Sequence, residues 1–158
     1  MTVWGALAGG FVGTLLLTSG LGAATELRLT RIDLPFLLGT AVTADRIRAR
    51  ALGYALHFVL GLAFAGLYYA VFQAIGQASW WLGLGFGLVH ALFAGTALVN
   101  VILPLVHPRM ATIFSSASSA PLLEPPGFLL LNYGRSTPPV MLAVHAIYGA
   151  VVGAFTAL

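Results

Sequence analysis

His57, His90 and His145 each stand in a long apolar run, and His107 stands in Val106-His107-Pro108-Arg109. An ionisable group inside such a run is costly to bury and must find partners, so each is a candidate functional residue. Three chemistries are open to them. Neutral imidazoles can hydrogen-bond across helices, to Tyr54, Tyr148, Asn100 or Thr96. Imidazoles with carboxylates can hold zinc, iron or manganese, and Glu26, His57, His90, His107, Glu124 and His145 are the candidate ligands. A b-type haem could take His57 and His145 as axial ligands, with Gly61, Gly149 and Gly153 leaving room for the macrocycle. None of the spacings is a metal signature: there is no His-Glu-x-x-His and no Glu/His pair three apart.

Other chemistries find less. The chain has no cysteine, which removes disulfides, thiolate metal sites and cysteine nucleophiles. Serines cluster at 115–119, but no G-x-S-x-G elbow accompanies them. There is no Walker or dinucleotide-binding glycine loop. The net charge of +3 comes without a single lysine and without a basic polar face, so nucleic-acid binding is excluded. Whether the chain is an enzyme stays open on these residues.

The elements that must position the histidines are membrane spans. The 158 residues are 59% hydrophobic and 7% charged, where soluble chains run near a quarter charged. A bilayer core of about 30 Å takes roughly 20 helical residues. Four runs are long enough, at about 3–27, 49–75, 80–106 and 140–158, separated by loops at about 28–48 and 107–139. The expected fold is therefore all-α: a single polytopic transmembrane domain over 1–158, with four helices arranged as two hairpins. The first run is too long and lacks the basic start of a cleaved signal peptide.

Charge sets the expected orientation. Arg28, Arg31, Arg46, Arg48 and Arg50 fall in or beside the first loop, and Arg109 and Arg135 in the second. The turn near Gln77 carries none. Under the positive-inside rule both arginine-bearing loops face the cytoplasm and both termini face outward, in an inner (plasma) membrane. Trp4, Trp80 and Trp81 then mark the outer interface. At 1.5 Å per residue, His57 and His145 lie about 10 Å and about 9 Å below the cytoplasmic surface, and His90 about 14 Å from the outer one. His107 is expected at the cytoplasmic surface.

A weak repeat runs through the chain. Leu34-Pro35-Phe36-Leu37-Leu38-Gly39 has a counterpart in Pro126-Gly127-Phe128-Leu129-Leu130-Leu131, and His57-x3-Gly61 one in His145-x3-Gly149. Two like-oriented hairpins would be related by an axis along the membrane normal. The two Pro-led pieces are expected as short interfacial segments on the cytoplasmic side, near 34–39 and 126–132. Asp45 is expected to cap the second span. Glu124 is expected to fold back over His57 and His145, held by a metal or by Arg28, Arg109 or Arg135. Gly5, Gly9 and Gly13 make a small-residue face on the first span, as Gly83, Gly87 and Gly95 do on the third. Most of this serves packing within the bundle. The face of the first span, however, is expected to be left over for a homo-oligomer or a larger membrane complex.

The pattern His57-x3-Gly61…Gly66-x-Tyr68, with His145-x2-Tyr148-Gly149-x3-Gly153 and Gly87-Leu88-Val89-His90 through Leu103-Pro104, resembles the small four-span bacterial inner-membrane proteins of the YagU-like kind. The likeness covers about two-thirds of the chain, and the 108–138 loop departs from it. It implies the fold and no activity.

Overall fold

The computed structural model describes residues 1–111 and 123–158; the serine cluster at 115–119 lies outside them. The chain forms α1 (Val3–Glu26), α2 (Leu34–Gly39), α3 (Arg46–Ile75) and α4 (Trp80–Phe93). Helix α4 continues through a π-helical stretch, Ala94–Ile102, into α5 (Leu103–Val106). A 3-10 segment, Phe128–Tyr133, and α6 (Thr137–Ala157) complete it. Four helical units are long and apolar enough to cross a membrane: α1, α3, Trp80–Val106 and α6. They match the four runs read from the sequence to within a few residues, and the composition and lengths are those of a multi-pass membrane protein.

The helix ends follow local chemistry. Thr2 accepts from the Gly5 N–H at 2.9 Å, Asp45 from Arg48 at 2.8 Å and Ser79 from Leu82 at 3.3 Å, each satisfying a donor the helix leaves free. Helix α3 stops at Gly76, whose φ of 72° suits a residue without a Cβ. Helix α2 opens with Asp33 accepting from Phe36 at 3.0 Å and has Pro35 in its first turn.

Glycines set which helices meet. A Cβ on Gly83 would fall on the Gly149 carbonyl, and one on Gly149 would fall on that of Gly83. Gly87 stands in the same way against His145 O, so α4 and α6 pack backbone to backbone. Gly5, Gly9 and Gly13 face Phe155, Val152 and Tyr148 of α6. The small-residue face of the first span is thus consumed inside the bundle, and the expectation that it is left over for association is corrected. Gly61 takes Thr14 of α1, and Gly53 takes the Pro35 carbonyl of α2.

The result is an arc in the order α3, α1, α6, α4. Its open side, between α3 and α4, is bridged by rings instead of close backbones. Tyr68 and Phe72 of α3 meet Phe86 of α4 at centroid distances of 5.8 and 5.3 Å. Since α1 and α6 pack close while α3 and α4 stand apart, the two halves do not repeat each other's contacts.

Both termini and the 76–79 turn lie at one end, where Thr2 N donates to Thr156 O and Gly153 meets Ser79. Every arginine lies at the other. There the second interfacial piece is not a Pro-led helix like α2. It is a 3-10 segment in which Leu129 and Leu130 have φ of 50° and 60°, a conformation costly for residues with a Cβ. That turn drives Leu130 into the core, 1% exposed, beside Gly95. A polar seam ties the halves together at this end: Thr30 and Thr137 hydroxyls bond at 2.8 Å, and Arg31 N–H donates to Tyr133 O at 2.8 Å.

Candidate functional site

Three of the four histidines line one internal cavity of about 170 Å³. His57 comes from α3, His90 from α4 and His145 from α6. The remaining walls are almost wholly apolar, and Ala94, Leu98, Val99 and Ile102 of the π-helical stretch form one of them. Pro104 accounts for the widened turn: it donates no N–H and crowds the carbonyl four residues earlier. Asn100 Nδ2 donates to the Gly95 and Thr96 carbonyls at 3.1 and 2.9 Å and holds that turn in place. π-helical turns inside α-helices recur at functional sites.

Hydrogen bonding fixes the tautomer of His145 and couples that of His57 to a hydroxyl. His145 Nδ1 lies 2.9 Å from Met141 O, and since a carbonyl only accepts, Nδ1 carries the proton. His57 Nδ1 lies 3.0 Å from Thr18 Oγ1, whose own proton goes to Thr14 O at 2.7 Å. With the hydroxyl proton on Thr14 O, the imidazole donates here as well. In both residues Nε2 is left as a bare acceptor with no partner among the described residues. Among the described residues no fully buried side-chain nitrogen or oxygen lacks a partner, so neither Nε2 is sealed off. His90 stacks on Phe64 with centroids 3.7 Å apart, and its Nδ1 is 3.4 Å from the Tyr68 hydroxyl. Its ring meets that of His145 edge to face at 4.9 Å.

A second, polar hollow of about 340 Å³ opens at the arginine end between α1, α2 and α3. Glu26, Asp33, Arg50, Tyr54 and Thr18 line it, and so does His57. Asp33 Oδ2 accepts from Arg50 Nε and Nη2 at 3.0 and 2.9 Å, anchoring α2 to α3 at its rim. His57 lines both this vestibule and the inner cavity, as the apolar Ile32 and Leu34 do, and of the three it alone has a polar side chain.

The six candidate ligands fall in four places. His57, His90 and His145 share the cavity, and Glu26 shares the vestibule with His57. His107 is not at the surface: it is 3% exposed and pins α2 to the end of the third span. Its Nε2 donates to Leu37 O at 3.0 Å and its Nδ1 accepts from the Arg109 N–H at 3.2 Å. Glu124 does not cover the histidines. It pairs at 3.5 Å with Arg31, not with Arg28, Arg109 or Arg135, at the exposed rim of a third hollow shared with Asp33 and Tyr133. Among the described residues no group of three or more His, Asp and Glu side chains is arranged to hold a metal ion.

The partners named from sequence are mostly different in the fold. Tyr148 OH donates to Gly61 O at 2.6 Å, and Asn100 and Thr96 bond their own helix. The actual partners are Thr18, Tyr68 and a backbone carbonyl. Thr18 carried one legible signal: it sits four residues after Thr14 and eight after Gly10, on the face of α1 that meets α3.

Fold and site define a class: an all-α, multi-pass membrane protein with a buried histidine cavity beside a polar vestibule. Comparison with protein-family models, with curated proteins and with solved structures finds no match to this chain.

Proposed function

We propose that this protein binds a small lipophilic molecule at its buried histidines, in an inner (plasma) membrane with the arginine end in the cytoplasm. The imidazoles exchange protons with the cytoplasm through the vestibule. One observation carries the reading: His57 lines both the polar vestibule and the apolar cavity that holds His90 and His145. A largely apolar cavity of this size takes up small apolar molecules, and the imidazoles in its wall offer them polar partners. A side chain that donates at Nδ1 and accepts at Nε2 can pass a proton between the two spaces.

Two measurements test it. In sealed, oriented vesicles, diethyl pyrocarbonate added on the arginine side should modify His57 first, and His57→Phe should slow modification of His90 and His145. Equal reactivity of the inner pair with and without His57 would remove the vestibule as the route. Orientation is checked independently by labelling Gln77→Cys, which should react from outside only. Saturable shifts of the His90 and His145 ring resonances on adding benzene carry the binding half; no saturable shift with any lipophile would end it.

A structural reading also has an observation behind it. The Nδ1 atoms of all three cavity histidines have partners, two of them on a neighbouring helix, as they would if the rings served only packing and helix contacts. It predicts that lipophiles leave the ring resonances unmoved.

A further inference from the structure

We infer that the cavity takes the hydroxyl end of a lipid-phase alcohol or phenol, entering sideways between α3 and the third span. The inference rests on the binding reading above and narrows it to a ligand class.

The hydrogen-bond pattern sets polarity. His145 commits its ring proton to Met141 O, and His57 gives its own to Thr18 where that hydroxyl donates to Thr14 O, so both then present lone pairs at Nε2. A ligand that satisfies them must donate. Carbonyl, ether and ester ends have nothing to donate, and a carboxylate or phosphate would bring unpaired charge into an apolar chamber at a cost of several kcal/mol. A neutral hydroxyl fits both constraints, giving its one proton to either nitrogen.

Size sets the body that carries the hydroxyl. An apolar cavity of about 150 Å³ accepts a benzene ring. The 170 Å³ here is of the size that takes one six-membered ring or a branched end of similar bulk. Phe64 and Leu98 in its lining offer it apolar faces.

The mouth sets the route. Leu60 of α3, with Ile102 and Val106 of the third span, lines the cavity, yet these residues are 39%, 41% and 67% exposed. They belong to the apolar perimeter that would face hydrocarbon. They mark a gap where α3 and the third span fail to close, on the inner side of the aromatic bridge. A tail attached to the bound head leaves through this gap into lipid without crossing the polar vestibule.

Phenol, its methyl ether anisole and benzene share one ring and differ in the donor, so they separate the possibilities. The full chain in lipid nanodiscs, with ¹⁵N-labelled histidine, is titrated with each. Phenol should shift the Nε2 resonances of His57 and His145 saturably. It should bind about tenfold tighter than anisole or benzene, the ratio that one neutral hydrogen bond of about 1.4 kcal/mol gives. His145→Phe should abolish that preference, and Val106→Trp, an exposed change at the mouth, should slow entry of a long-chain 4-alkylphenol more than of phenol. Equal binding of all three overturns the hydroxyl assignment and leaves the lipophile site standing. No binding by any of them overturns both. Stoichiometric zinc that shifts the same nitrogens and competes with phenol also overturns the assignment, since the lone pairs would then serve a metal.

Discussion

The His90 and His145 rings meet edge to face, with centroids 4.9 Å apart and planes at 83°, across the closest helix pair in the fold. The approach depends on Gly87, whose missing Cβ leaves room for the His145 carbonyl three residues before His90. Two imidazoles on facing helices are thereby held by the same glycine contact that joins α4 to α6.

That contact should make the pair energetically coupled. In a double-mutant cycle, His90→Ala and His145→Ala should show an interaction of about 0.5–1.5 kcal/mol, the range for edge-to-face ring pairs. Unfolding in mixed micelles measures it. Strict additivity would mean that the rings are neighbours without interacting.

His107→Ala should destabilise the protein by about 1–3 kcal/mol, because it removes the donor to Leu37 O and the acceptor for Arg109 N–H in a buried place. His107→Gln can place an amide donor near the Nε2 position and should recover part of the loss. A surface-like effect of a few tenths would contradict the buried bridge between α2 and the third span.

Glycines that look alike in sequence should respond in opposite ways. A Cβ on Gly149 would fall on the Gly83 carbonyl, so Gly149→Ala should cost on the order of 1–3 kcal/mol as the helices part. Gly66 sits in α3 with nothing near its would-be Cβ, so Gly66→Ala should stabilise by about 0.5–1 kcal/mol. Thermal unfolding of the two variants in the same detergent decides whether close approach is what distinguishes them.

Tyr133 supplies a pH dependence at the arginine end. Burial first, and then the Glu124 carboxylate, push its phenol up to about 12, against the pull of Arg31. The unfolded value is about 10. The fold therefore favours the neutral phenol, and its contribution is complete below pH about 10 and lost as pH rises through about 12. Melting temperatures should fall across that window in the wild type and fall less in Tyr133→Phe. An identical alkaline decline in the variant would assign the titration to another group.

The sequence by itself determined the spans, their ends and the side on which charge collects. These follow from local quantities: a run of apolar residues, an Asp or Ser before a helix, a Gly after one, an arginine where no apolar run continues. It also placed three histidines inside the spans, because depth along a helix is read directly from residue count. Tertiary structure decided what those histidines meet. The α4–α6 contact through Gly83, Gly87 and Gly149 brings His90 to His145, and the α1–α3 contact at Gly61 brings Thr18 to His57. Rotation of one helix against another selects such partners, and a small-residue face reports that a helix packs closely without saying on which neighbour. His107 and Glu124 moved for the same reason. Their surroundings are set by chain segments far away in sequence, α2 for His107 and Arg31 for Glu124, so depth alone could not locate them.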